Sequence, residues 1–163
     1  MSQDDASREP VVPEDPFTVA IFTLADHAEA VAATGKLYIN GAGVGTILIQ
    51  DAPGQLPPLY LALRLRIPWH KTTEPFLLRI RALNADRTPV ERDPLLEVRP
   101  EVGRPAGVRP GDEMAMNAVV GIGGMSIREH GTIYFHLEVE GEVIAIQPLK
   151  VASMRDPRIG LVG

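Results

Sequence analysis

The tightest gathering of chemically active side chains is Asp26-His27-x-Glu29, which sets two carboxylates around an imidazole. A carboxylate beside a histidine fixes its tautomer and ring orientation, as a metal ligand or general base requires. A closed metal site needs three or four donors, and His70, His130 and His136 stand at no spacing that obliges them to join. A plainer role needs nothing else. Residues 26–33 are alanine-rich and suit one or two helical turns, with Asp26 as the cap. Calcium would require several loop carboxylates at one end of the fold, whereas Asp51, Asp86 and Asp93 are scattered singly. The glycine-rich pieces at residues 41–45 and 121–124 lack the Lys-Ser/Thr of a phosphate loop and read as bulges or close backbone approaches. Ser2, Ser7, Ser126 and Ser153 lie in no nucleophile-elbow sequence, and there is no cysteine nucleophile. The expectation is a non-enzyme without metal or cofactor.

Arginines offer a different chemistry. Arg64 and Arg66 alternate outward on one predicted strand, Arg79 and Arg81 on the next. Paired as a hairpin, the two strands would form a four-arginine patch fit for phosphate or an acidic partner. The bland alternative is a solvent face balanced by cross-strand acids such as Glu138 and Glu140. Aromatic residues are only 5% of the chain, too few for a stacking platform, so neither nucleic acid nor carbohydrate is the expected ligand.

The elements that must position these residues are strands. In residues 131–139, Ile133, Phe135, Leu137 and Val139 alternate with Thr132, Tyr134, His136 and Glu138, the period-2 pattern of a strand with one buried face. Glu140-Gly141-Glu142 breaks the run and predicts a tight hairpin with a return strand to Val151. The clearest alternation is Leu59, Leu61, Leu63, Leu65 and Ile67, followed by a loop with the single tryptophan, Trp69. Phe76, Leu78, Ile80 and Ala82 face inward on the next strand, and Asn84-Ala85-Asp86-Arg87 is turn chemistry. Residues 95–99 make a short strand between prolines, suited to a sheet edge. Met114, Met116, Ala118 and Val120 form a further inward phase. About eight short strands with no long helix predict an all-β, single antiparallel β-sandwich of immunoglobulin-like or C2-like kind.

Charge divides the chain. Asp4, Asp5, Glu9, Glu14 and Asp15 against Arg8 give residues 1–16 a charge of −4, leaving −1 of the total −5 for everything after. A disordered, acidic, proline-punctuated arm over 1–16 therefore precedes a near-neutral β-sandwich over 17–151 and a short tail over 152–163. No apolar run approaches the ~20 residues of a membrane span, and the lack of cysteine suits a reducing, cytoplasmic setting.

Ala25-Asp26-His27-Ala28, Gly35-Lys36-Leu37, Gly131-Thr132-Ile133-Tyr134-Phe135 and Pro148-Leu149-Lys150-Val151 together resemble an uncharacterised bacterial domain-of-unknown-function family. Its members are small β-sandwich proteins with an Ala-Asp-Tyr/His opening, a Gly-Lys-Leu segment, a Gly-x-Tyr strand and a Pro-Leu-x-Val close. The resemblance runs over about residues 18–151. It implies the sandwich fold and carries no catalytic residues with it.

The remaining signal is surplus apolarity. Residues 18–25, 44–50 and 143–146 are apolar in both phases, and Leu77 and Leu83 lie outward. A lone sandwich buries one face per strand, so the second faces must be covered by loops, by the alanine-rich turn or by another chain. The expected function is accordingly assembly, by self-association or by docking on a larger bacterial or phage-like complex. The alternative is an anion-binding sensor that uses Arg64, Arg66, Arg79 and Arg81.

Overall fold

A computed structural model describes residues 15–155. Most of the expected arm and tail lies outside the described residues, though Ala152 and Ser153 complete the last strand instead of starting a tail. The described chain is all-β apart from one 3-10 turn, Trp69–Lys71. Its strands are β1 (Thr18–Val31), β2 (Lys36–Ala42), β3 (Thr46–Ile49), β4 (Gly54–Gln55), β5 (Tyr60–Ile67), β6 (Leu78–Leu83), β7 (Leu96–Val98), β8 (Met114–Gly121), β9 (Ser126–Ile127), β10 (Gly131–Val139) and β11 (Glu142–Ser153). No helix among the described residues is long and apolar enough to cross a membrane.

Two sheets pack face to face. Sheet A has the order β2-β1-β5-β8 and sheet B the order β3-β11-β10-β6-β7, while β4 and β9 form a separate two-stranded ribbon. All pairs are antiparallel except β3 with β11, which run parallel from Thr46 beside Lys150 to Ile49 beside Ser153. The inward residues are those the alternation picks out. Leu61, Leu63, Leu65 and Ile67 of β5 face Leu78 and Ile80 of β6 and Ile133, Phe135 and Leu137 of β10, all in one buried cluster. Burying each such side chain stabilises the fold by roughly 1.5–3 kcal/mol. The β10–β11 hairpin turns through Glu140 and Gly141, both at positive φ (51° and 87°), as a two-residue turn matched to strand twist demands. Sheet B's short edge, β7, is where the flanking prolines put it.

Two expectations fail. The alanine-rich residues 26–31 are not helical turns; they continue β1, paired with β2 from His27 opposite Asn40 to Val31 opposite Lys36. A segment too short to sustain a helix alone takes the conformation its neighbour's hydrogen bonds supply. With no helix there, Asp26 caps nothing. The second failure is the hairpin of residues 59–67 with 76–83. Pro68, the 3-10 turn and Thr72 carry the chain from sheet A to sheet B, so β5 and β6 belong to different sheets.

This loop is firmly held. Thr72 is fully buried; its hydroxyl donates to the Trp69 carbonyl at 2.8 Å and accepts from Arg104 Nε at 2.7 Å. The Arg104 guanidinium also lies 4.3 Å from the centre of the Trp69 ring, a cation–π contact. The single tryptophan thus anchors a crossover.

The long β1 gives sheet A an unusual outer face. Up to Ala25 it pairs with β5; beyond Asp26 it pairs with β2 alone. Both β1 and β2 nevertheless approach β8, on the far side of β5. The Asn117 amide of β8 donates to the Gly35 carbonyl at the hairpin tip, at 2.9 Å. The β1–β2 hairpin therefore folds back over sheet A's outer face. Gly41, at φ 66°, stands at the bend, where a Cβ would overlap the Asp26 carboxylate. Under this roof Ala25 and Ala62 have no exposed surface although they lie on the outer side of their strands.

Candidate functional site

The four arginines do not form one patch. Arg64 and Arg66 project from β5 on the outer side of sheet A, whereas Arg79 and Arg81 project from β6 on the outer side of sheet B. Each meets a carboxylate. Arg66 Nε lies 3.2 Å from Glu113, which also stands 3.8 Å from Arg64. Arg79 pairs with Glu97. Arg81 makes a two-pronged contact with Asp93, at 2.7 and 2.6 Å, and reaches Glu138 at 3.4 Å. That fork-on-fork geometry holds the Asp93 carboxyl below the usual carboxylate range, its hydrogen bonds from Arg81 outweighing burial. The same bonds push the Arg81 guanidinium above its ordinary value. Of the two acids expected to balance these charges, Glu138 does so, while Glu140 accepts the Leu77 backbone N–H at 2.7 Å instead.

Asp26 and His27 also part company. Successive positions on a strand face opposite ways. Asp26 packs at Gly41, and His27 lies edge-on to the Tyr60 ring with centroids 5.1 Å apart. Among the described residues no group of three His, Asp or Glu side chains is placed to hold a metal ion. The glycine-rich pieces behave as backbone devices: a Cβ on Gly123 would stand 2.9 Å from Pro58 Cα, so only glycine lets those segments pass. A cleft of about 390 Å³ opens between the β6–β7 turn and the β9–β10 loop, with Arg128, Glu129 and His130 on its wall. From the sequence, His130 enters only as a further donor for Asp26 and His27, and nothing in the pattern singles out Glu129 beside it. Both side chains are exposed.

What distinguishes the molecule is the outer face of sheet B. The β10–β11 register slips beside Leu137, so that Leu137 faces Ala145 and Glu138 faces Val143. The extra residue, Ile144, forms a β-bulge. Three positions apart, Val143 and Ile146 would face opposite ways on a regular strand; the bulge turns both outward. Val143 is 47% exposed, Ile146 52%, and Leu48 on neighbouring β3 37%. Tyr134 and His136 of β10 continue the row, opposite Pro148 and Ile146, toward the ion pairs of Arg79 and Arg81. The face grades from apolar at Val143 and Ile146 to charged on β6 and β7, while Leu48 lies apart beside Ala152, with the exposed Lys150 between.

Residues 20–152 match the family described as Family of unknown function (DUF6941). The chain belongs to this family. The match takes in both sheets, the hairpin roof and the graded face, so each belongs to the family domain's span. No curated protein matches the chain.

Proposed function

We propose that this family domain is a non-catalytic β-sandwich that works by docking, with the outer face of sheet B presented to a protein partner, in a homo-oligomer or in a larger bacterial or phage-like assembly. The supporting observation is the pair Val143 and Ile146, exposed on a sheet face beside the Arg79–Glu97 and Arg81–Asp93 ion pairs. An apolar centre with a charged, already paired rim is the anatomy of a protein interface. The bulge at Ile144 argues for the same reading, since it turns a second apolar side chain into water at a local expense in hydrogen bonding. Anion binding by the arginines has weaker support, because every one of them already meets a carboxylate. The absence of cysteine supports a reducing, cytoplasmic setting for this work.

The test is a Val143→Glu/Ile146→Glu double variant compared with the wild-type chain in cross-linking and affinity capture from the native host. Loss of a specific wild-type partner, with circular dichroism unchanged, supports the reading. Identical partners for both proteins would sink it.

A further inference from the structure

We infer that β8 is a self-pairing edge, through which two copies of the chain join antiparallel about a two-fold axis to make one continuous sheet from two copies of sheet A. This goes beyond the docking face of sheet B and rests on a different part of the molecule.

Edge strands leave a row of backbone donors and acceptors open, and folded proteins blunt them with shortness, charge, proline or a bulge. Three edges here are blunted. β7 is three residues long, β3 is four, and β2 begins at Lys36 and carries Gly41 in a left-handed conformation. β8 has none of these devices. Its eight residues, Met114 to Gly121, hold no charge and no proline, and its ladder with β5 runs without a register shift.

The ladder also tells which groups are open. Ile122 donates its N–H to the Leu59 carbonyl at 2.9 Å, and bonded residues alternate along an antiparallel pair. The even-numbered residues of β8 therefore bond to β5, while Ala115, Asn117, Val119 and Gly121 direct N–H and C=O to the open side. Among the described residues no other strand pairs there, and residues 115–120 are half-exposed. The hydrogen bond from the hairpin tip goes to the Asn117 side chain on the outer face and uses none of these backbone groups.

The strand fits its own copy. Centred on Ala118, an antiparallel self-pair sets Ala115 opposite Gly121 and Asn117 opposite Val119, which uses every open backbone group. On the inner side it sets Met116 opposite Val120, and both already pack against the core, so the pairing carries that core across the axis. No like charges meet, since Glu113 falls opposite Gly123. An isologous pair of this kind closes at two copies and removes the edge from both.

The experiment is a concentration series by light scattering on the full chain, with amide hydrogen exchange on the same samples. The expected mass is twice 17.7 kDa, with the Ala115, Asn117 and Val119 amides protected. Val119→Pro removes an N–H that β5 does not use, so the strand can keep its ladder, yet two bonds across the axis are lost. Self-association should weaken by about a hundredfold. Val119→Lys should act in the same direction, and decides alone if the proline variant does not fold. Ile146→Glu should leave the mass unchanged. A wild-type monomer at every concentration overturns the inference. So does a dimer that survives the Val119 variants, or one that Ile146→Glu dissolves, which would assign self-association to the sheet B face.

Discussion

The two outer faces of the sandwich solve the same problem in opposite ways. Each sheet has apolar residues on its solvent side, and each therefore needs cover. Sheet A supplies its own, by extending β1 past Ala25 and folding the β1–β2 hairpin back so that Ala25 and Ala62 are sealed. Among the described residues sheet B has no such roof over β11 and β3, and Val143, Ile146 and Leu48 are exposed. The difference is one of strand length. β1 is fourteen residues long and overruns its eight-residue neighbour β5, whereas β3 stops after four. A face roofed by its own chain is part of the fold's stability, while a bare one is available to something else.

Substitutions on the two faces should therefore differ in kind. Ala62→Glu puts a carboxylate under the hairpin, where it must either stay buried without a partner or lift the roof. Its expected destabilisation is roughly 3 kcal/mol or more by urea denaturation. A loss below about 0.5 kcal/mol would mean the roof opens freely. Asn117→Ala removes the amide that accepts from Arg64 at 3.2 Å and donates to Gly35 at 2.9 Å. That should cost about 1–2 kcal/mol, with faster proteolysis at the hairpin tip.

Acid should act on sheet B's face and spare the roof's pin. The Asp93 carboxyl is held below its ordinary range by Arg81. A carboxyl with a lowered folded pKa adds stability that is fully present above its unfolded value near 4 and disappears as pH falls through the folded value. For a pair this accessible the contribution is under about 1 kcal/mol. In the wild type minus Asp93→Asn difference, that stability should fade as pH drops below about 4, whereas the penalty of Asn117→Ala should stay constant over the same range. A flat Asp93 difference would show that the pair adds nothing. The smallest effect belongs to Ile146→Glu, whose stability should move by less than about 0.5 kcal/mol. A large loss there would mean the face is covered after all.

Much of this was legible from local pattern. The alternation at residues 59–67 and 131–139 gave the core strands because a half-buried strand must repeat every two residues, and Gly141 gave the hairpin because its turn needs positive φ. What escaped depends on distant partners. Residues 26–31 are strand only because β2 lies beside them, and nothing in Asp-His-Ala-Glu-Ala-Val announces that. Equally, the Pro68–Thr72 crossover is as polar and short as many hairpin loops, so Arg64 and Arg79 looked like neighbours while they sit on opposite sides of the molecule. The doubly apolar residues 143–146 were visible; that a single bulge turns Val143 and Ile146 the same way was not.

The parallel pair β3–β11 constrains the order in which the protein can be made. Residues 46–49 find their partners only at residues 150–153, about a hundred positions later, so sheet B's edge is completed by the last stretch of β11 to be synthesised. Contacts of such separation are slow to close, and during translation β3 must wait, unpaired, until nearly the whole domain has emerged. Loss of residues 150–153 would leave β3 without its only strand partner among the described residues, so closing sheet B's edge waits on β11.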